Sequence, residues 1–149
     1  MMVCAGDSSE PHMTSDDTTV VVATDGDIVS ARESGRTLVS RLGFSATEVM
    51  LLATAVSELA RNIVLYATRG EIVFRPLDDG GRKGILVIAR DHGPGIPDMQ
   101  RALGGGYSTR GGLGLGLSGT RRLMDEFDIV SAMGSGTTVT VKMWSRLKR

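Results

Sequence analysis

Apolar residues recur at helical spacing in one long segment of the chain, residues 46–67. Ser45 and Glu48 stand at its beginning with the spacing of a capping box, and Gly70 follows its end. The pattern predicts an amphipathic helix with one buried face. That face consists of Leu52, Val56, Leu59, Ile63 and Tyr66.

Two further segments show a weaker helical pattern. The first spans about residues 28–42, with Asp27 as its predicted cap and Gly43 as its end. The second spans residues 113–127 and follows a long glycine-rich stretch. Both are predicted helices.

Five short segments rich in β-branched or apolar residues are predicted strands: residues 18–24, 71–77, 84–90, 128–132 and 137–144. A polar turn joins the second and third strands and predicts an antiparallel hairpin. Strands joined mainly by hairpins predict an α+β fold, here a two-layer sandwich. We expect a mixed, mostly antiparallel sheet with the helices on one face. Residues 18–149 would form this domain, and the polar residues 1–17 a disordered tail.

Composition narrows the class of protein. The 149 residues favour one domain, and a hydrophobic fraction of 41% is enough for its core. Because 17 Lys and Arg balance 17 Asp and Glu, the chain lacks the basic excess typical of nucleic-acid binding. A single cysteine, Cys4, excludes an intrachain disulfide and suits a reducing compartment. With neither a signal peptide nor a spanning apolar run recognised, we expect a cytoplasmic protein with no nucleic-acid or membrane partner.

Glu58 and Asn62 stand four residues apart on the predicted long helix, so both project from one face. That face otherwise carries Leu51, Ala55 and Leu65. Carboxylate and carboxamide oxygens at this spacing can bind a hard cation or orient a water molecule. Taken alone, the pair is more typical of a surface hydrogen bond between the two side chains.

The segment D-H-G-P-G-I-P, which begins at Asp91, directly follows a continuously apolar strand. A carboxylate at a strand end can accept a hydrogen bond from an exocyclic amine such as that of adenine. Gly93 and Gly95 allow the backbone to approach a flat ligand without a Cβ clash. Taken alone, the segment is also typical of a tight turn, and His92 is expected in solvent.

A glycine run, G-G-L-G-L-G-L from Gly111 to Leu117, enters the third predicted helix. Successive backbone N–H groups at a helix N-terminus bind anions, and glycines let phosphates lie close. No G-K-[ST] follows, so the run is not a Walker P-loop, and the flanking residues do not fit a Rossmann fingerprint. Taken alone, a flexible linker is equally typical.

Together the three motifs resemble the N, G1 and G2 boxes of the Bergerat ATP-binding fold, which gyrase, Hsp90, histidine kinases and MutL share. E-x-x-x-N begins at Glu58, D-x-G-x-G at Asp91 and G-x-G-x-G at Gly112, and G-S-G-T-T from Gly134 resembles the final threonine motif. The stretches S-E-L-A-R-N-I-V-L-Y-A and G-Y-S-T-R-G-G-L-G-L-G-L further resemble the anti-sigma-factor serine kinases of the RsbT type. The resemblance covers residues 18–144.

This resemblance implies roles for the residues that would contact the adenine base and the metal ion. Asn62 would bind Mg²⁺, and Glu58 would act as a general base. Asp91 would accept a hydrogen bond from the adenine amine, and Thr138 would help to hold a water network beside it. The wall of the adenine site would include Gly93, Gly95 and Ile96.

The resemblance also implies a phosphate site and a lid. Residues 97–111 would form the ATP lid, with Ser108 and Thr109 near the phosphates. The phosphates would be bound by backbone N–H groups of Gly112, Leu113, Gly114, Leu115 and Gly116.

By the same resemblance, the chain would be an ATP-dependent serine/threonine protein kinase of a bacterial stress-response partner-switching module. Its substrate would be a STAS-domain antagonist resembling RsbS, and the released kinase would activate a PP2C-type phosphatase resembling RsbU. One alternative is an ATP-binding regulatory module that sequesters or activates partners with little catalysis. Another is a detached histidine-kinase catalytic domain, against which the short lid and the pattern of residues 119–127 argue.

Overall fold

A five-stranded sheet backed by helices makes up the part of the chain that the computed structural model describes, residues 16–93, 117–132 and 134–146. The strands are β1 (Thr18–Val22), β2 (Gly70–Asp79), β3 (Arg82–Asp91), β4 (Glu126–Ala132) and β5 (Gly136–Trp144). The helices are α1 (Asp25–Arg41), α2 (Ala46–Tyr66) and α3 (Leu117–Leu123).

The strand order in the sheet is β1-β2-β3-β5-β4. Every pairing between these strands is antiparallel. β3 and β4 run in the same direction, but β5 lies between them, so the connection through α3 creates no parallel pair. The predicted α+β fold is confirmed, and the described sheet is uniformly antiparallel where a mixed, mostly antiparallel one was expected.

The beginning of α1 differs from the prediction. Thr24, not Asp27, is the N-cap, and its hydroxyl accepts the N–H of Asp27 at 3.3 Å. The Asp27 carboxylate accepts the N–H groups of Ala23 and Thr24 in return, and these bonds lower the pKa of Asp27. The predicted cap was wrong because both residues of a reciprocal capping box are typical cap residues in sequence.

The predicted third helix is too long at its C-terminal end. α3 ends at Leu123, and Phe127 lies in β4 opposite Val141. The side chain of Phe127 packs on the core from the sheet. The helical spacing of apolar residues therefore continues by chance beyond the end of α3. The partly buried side chain of Phe127 belongs to a strand instead. Residues 113–116 lie outside the described residues.

α2 is the central helix of the core and packs against α1 and the sheet. Of its predicted buried face, Leu52, Val56, Leu59 and Ile63 are at most 2% exposed, and Tyr66 packs at the edge of the same cluster. The capping box is confirmed, since Ser45 and Glu48 exchange backbone-to-side-chain hydrogen bonds of 2.8 and 3.1 Å.

By length and composition alone, α2 is apolar enough to cross a membrane, with a mean hydropathy of 1.4. One face of its apolar side chains, Leu52, Val56, Leu59 and Ile63, belongs to the core between α1 and the sheet, whereas Met50 and Leu65 are exposed. A buried core helix passes the same test of length and composition.

Asp17, assigned from the sequence to the disordered tail, is held by a strand of the sheet. Its carboxylate accepts two hydrogen bonds from the guanidinium of Arg75 on β2, at 2.8 and 2.9 Å. The Asp17 side chain is fully buried, and such a bidentate pair is both strong and geometrically specific. The predicted tail boundary was therefore wrong at Asp17. Residues 1–15 lie outside the described residues.

The carboxylate of Glu48 joins the beginning of α2 to the segment that follows β5. It accepts the N–H of Arg146 at 2.6 Å and the hydroxyl of Ser145 at 3.3 Å, as well as the N–H of Ser45. Burial alone would raise the pKa of Glu48, but these hydrogen bonds outweigh it and hold the pKa below its usual value of 4.5. The ionised carboxylate therefore stabilises the fold above pH 4.5, and this contribution is lost as the pH falls through the lower pKa of the folded state.

We expect Glu48→Gln to lower the free energy of unfolding by about 2 kcal/mol near neutral pH, because the amide offers one acceptor oxygen to three donors. The deficit should shrink in acid, at a pH below the lowered pKa of the folded state, where the wild-type carboxylate is also protonated. Urea unfolding at both pH values measures it. Asp79→Asn, at an exposed hairpin carboxylate, is the control and should cost less than about 0.5 kcal/mol. An equal deficit for Glu48→Gln at both pH values would contradict a role for the ionised form.

Candidate functional site

The carboxylate of Asp91 holds the C-terminal end of β3 against two neighbouring segments. Its Oδ1 atom accepts the N–H of Gly93 at 2.8 Å and the N–H of Thr137 at 3.3 Å. The first bond closes the turn after β3, and the second reaches the beginning of β5. Asp91 is half-buried, and within the described ranges no hydrogen bond to its Oδ2 atom is found. One oxygen is therefore used by the fold, and the other remains as an acceptor.

Two glycines permit this close approach. A Cβ on Gly93 would lie 2.7 Å from the Cβ of Ala67, the residue that follows α2. Gly136 has a φ of +94°, and a Cβ there would collide with the backbone of Asp91. The end of β3, the end of α2 and the beginning of β5 can therefore meet only because both positions are glycine.

Thr137 is the threonine that contacts Asp91. The strand register places Thr138 opposite Arg90 and Val130, on the outer face of the sheet. Side chains alternate along a strand, so Thr137 shares the inner face with the core residue Val139. The structure thus corrects the expectation that Thr138 lies beside Asp91, since its position is one residue too far along β5.

Glu58 and Asn62 lie on α2, upstream of the turn that contacts Gly93. At 1.5 Å per residue, they are about 13.5 and 7.5 Å along the helix axis from Ala67. Both side chains are half-buried at the edge of the apolar face. Counted back along α2 from Ala67, the residue beside Gly93, Asn62 therefore comes first and Glu58 second.

Arg61 contacts Glu58, which the sequence interpretation missed. The Arg61 Nη1 and Glu58 Oε2 atoms are 2.7 Å apart, with side chains 46% and 36% exposed. An acid three residues before a base on a helix is the signal that could have indicated the pair. An exposed helical pair of this kind is worth only about 0.3–0.5 kcal/mol, so Glu58 can change partners at small cost.

Nine of the predicted ligand-binding residues lie outside the described residues, and their roles stay predictions. They are Gly95, Ile96, Ser108, Thr109, Gly112, Leu113, Gly114, Leu115 and Gly116.

Thr120 on α3 is a buried polar residue that the sequence interpretation did not single out. It is 1% exposed, and its hydroxyl has no partner among the described residues. Such a buried polar atom needs an explanation, of which a ligand or a water molecule is one. Because α3 packs against α2, this hydroxyl lies on the helix next to the one that carries Asn62.

Comparison with known proteins decides what class of site this is. Residues 47–147 match the family described as histidine kinase-, DNA gyrase B-, and HSP90-like ATPase. The match spans more than half of the chain and includes Glu58, Asn62, Asp91 and Thr137. The chain belongs to this ATPase family.

Individual relatives narrow the family. The ATPase is 47% identical with the serine/threonine-protein kinase RsbT of Bacillus subtilis (strain 168) over 131 residues, 88% of this chain and 98% of the relative. It is 29% identical with the anti-sigma F factor of Clostridium novyi (strain NT) over 117 residues, 75% and 82% of the two chains. With the anti-sigma F factor of Thermoanaerobacter sp. (strain X514), it is 32% identical over 98 residues, 62% and 67% of the two chains. The predicted resemblance to protein kinases of the RsbT type is confirmed.

The described residues of the ATPase fit the ligands that its family implies. Asp91 offers an oriented acceptor for an amine, and Gly93 brings bare backbone beside it. The amide oxygen of Asn62 is a hard oxygen atom of the kind that Mg²⁺ prefers, and Mg²⁺ usually takes only one or two ligands from the protein and the others from water and phosphates. In residues 16–93, 117–132 and 134–146 there is no group of three His, Cys, Asp or Glu side chains placed to hold a metal.

Gly136→Ala should destabilise the ATPase more than Gly134→Ala. Both glycines have a positive φ, +94° and +79°, so both variants bear a backbone cost of about 1–2 kcal/mol. Only at Gly136 does the added methyl group meet the Asp91 backbone, whereas Gly134 faces open space. We expect a further loss of about 1–3 kcal/mol for Gly136→Ala, measured by urea unfolding. Equal losses would show that the end of β3 is not tightly packed against β5.

Proposed function

We propose that the chain is an ATP-dependent serine/threonine protein kinase that phosphorylates a STAS-domain protein. The observation that carries the proposal is the arrangement of the site. Asp91 is fixed at the sheet end with one oxygen available, next to the helix turn that leads to Asn62 and then to Glu58. The 47% identity with RsbT supports a protein hydroxyl as the acceptor.

In the proposed reaction each residue has one task. The Oδ2 atom of Asp91 accepts a hydrogen bond from the adenine amine. Asn62 would hold a Mg²⁺ ion through its amide oxygen, and this ion would neutralise phosphate charge. The substrate hydroxyl oxygen bonds to the γ-phosphorus as the bond from that phosphorus to the leaving ADP oxygen breaks, and Glu58 takes the hydroxyl proton.

The remaining roles rest on the family resemblance. We assign the wall of the adenine site to Gly93, Gly95 and Ile96, and the lid to residues 97–111 with Ser108 and Thr109. Thr137 takes the place first given to Thr138 beside Asp91. The phosphate-binding N–H groups would belong to Gly112, Leu113, Gly114, Leu115 and Gly116.

The partners follow from the same resemblance. The substrate is a STAS-domain antagonist resembling RsbS, and the kinase released from it activates a PP2C-type phosphatase resembling RsbU. Such a partner-switching module operates in the cytoplasm. The balance of 17 basic and 17 acidic residues supports protein partners over nucleic acid.

A second candidate function is an ATP-binding regulator that captures a partner with little catalysis. The ion pair between Glu58 and Arg61 favours it, because it holds one oxygen of the carboxylate 2.7 Å from Arg61 instead of toward a substrate hydroxyl. Several relatives are named anti-sigma F factors, and their names do not include a kinase activity.

Glu58→Gln should lower kcat for phosphate transfer by roughly 10²–10⁴-fold, because the amide keeps the size of the side chain but cannot take a proton. The assay uses labelled ATP and the purified STAS-domain proteins of the same organism. Titration with a fluorescent ATP analogue should give nearly unchanged affinity. Glu126→Gln, which removes an exposed ion-paired glutamate from β4, is the control and should retain the wild-type rate. Wild-type protein that binds a partner but transfers no label would favour the second candidate function.

Asn62→Ala should remove the Mg²⁺ dependence of nucleotide binding. We expect Mg²⁺ to strengthen binding of the ATP analogue to the wild-type protein by roughly 10–100-fold relative to excess EDTA, and to leave the affinity of the variant almost unchanged. Alanine is the better helix former, so α2 should persist, which circular dichroism verifies. A variant with the wild-type response to Mg²⁺ would remove Asn62 from the metal site.

A further inference from the structure

A groove of about 530 Å³ runs between α1 and α2 on their solvent side. Val49 and Ala53 of α2 form its apolar floor, and Met50, 65% exposed, stands at its rim. Along α2 the groove extends from the first helical turn to Glu58, about 18 Å at 1.5 Å per residue. We call it the α1–α2 groove.

Exposed apolar residues beside the groove mark it as an interaction surface. Met50 is the most exposed large apolar residue in the described part of the chain. Val29, two turns before Arg36 on the same face of α1, is 47% exposed. Large apolar side chains grouped at a concave surface are typical of protein-binding sites.

The wall of the groove that α1 provides is positively charged. Arg32 and Arg36 line it, and both contact the carboxylate of Glu33, at 3.5 and 3.0 Å. One carboxylate thus faces two guanidinium groups, which leaves a net positive charge. Among the lining residues the acidic side chain is Glu58, and Arg61 already pairs with it.

We propose that the α1–α2 groove is the docking surface for the protein substrate, and that it binds an amphipathic helix with acidic residues along one edge. The apolar floor would contact the apolar face of that helix, and Arg32 and Arg36 its acidic edge. About 18 Å accommodates three helical turns, the usual span of a helix bound in a groove.

The α1–α2 groove is continuous with the proposed catalytic site, which indicates that the protein bound in the groove is the substrate. The groove ends at Glu58, which the proposed function makes the general base, so a protein seated in it presents a hydroxyl close to that carboxylate. A second copy of the chain fits less well. A two-fold contact whose axis runs across the groove would set the basic walls of both copies against each other, and ultracentrifugation tests the other arrangement, in which each basic wall faces α2 of the other copy. This inference rests on the proposed kinase function for the identity of the partner.

The test reverses the charge of the wall with the double variant Arg32→Glu/Arg36→Glu. We expect KM for the purified STAS-domain substrate to rise by roughly tenfold or more, with kcat and ATP-analogue affinity close to wild type. Arg41→Glu is the matched control, since Arg41 is exposed on the same helix but lies nine residues from Arg32, on the opposite face. It should leave KM almost unchanged.

A second experiment measures binding of the STAS-domain protein independently of phosphate transfer. A photo-crosslinking amino acid at Thr54, which lines the groove, should capture the STAS-domain protein, and the same group at Arg41 should not. If the wild-type protein transfers no phosphate but this crosslink forms and the double variant abolishes it, the docking surface stands and the kinase function fails.

Other outcomes overturn the docking surface. If the wild-type protein transfers phosphate and the double variant has an unchanged KM, the docking surface is wrong and the kinase function stands. An equal loss in Arg41→Glu, or the absence of a crosslink at Thr54, also overturns the docking surface. So does self-association of the wild-type chain in ultracentrifugation that the double variant abolishes, because the occupant would then be a second copy.

Discussion

The hydrogen bonds that the Asp91 carboxylate accepts from Gly93 and Thr137 hold three parts of the chain at one point. Each bond is worth about 1 kcal/mol, so their importance is geometric rather than energetic. They fix the turn after β3 and the beginning of β5 at distances that any side chain on Gly136 would prevent. The site depends on this junction, because it leaves the second carboxylate oxygen oriented and available.

α2 connects that junction to the rest of the domain. Its apolar face fills the core, which fixes the rotation of the helix about its axis. At its beginning Glu48 bonds the segment after β5, and at its end Ala67 packs on Gly93. A helix held at both ends carries Glu58 and Asn62 with little freedom, as a site with exacting geometry requires. The same residues that stabilise the fold therefore position the proposed catalytic groups.

The features predicted correctly from the sequence depend on local chemistry. The period of α2, its capping box and the hairpin between β2 and β3 need no knowledge of distant residues. The errors arose where partners decide the outcome. Phe127 fits a helical pattern in the sequence, but its pairing with Val141 places it in a strand. Thr137 and Thr138 are the same residue type, and only the register of β5 decides which face of the sheet each one occupies. A one-residue shift along a strand reverses the face, and sequence motifs do not specify that shift.

The ion pair between Arg61 and Glu58 links the two candidate functions. An exposed pair worth only about a few tenths of a kcal/mol holds the carboxylate. Because the α1–α2 groove ends at Glu58, a partner bound there with an acidic group near Arg61 would replace Glu58 in the pair at a similarly small cost. A partner without such a group would leave the carboxylate engaged. On this argument, the chemistry of the partner would determine whether the proposed site acts as a kinase or only as a binding module.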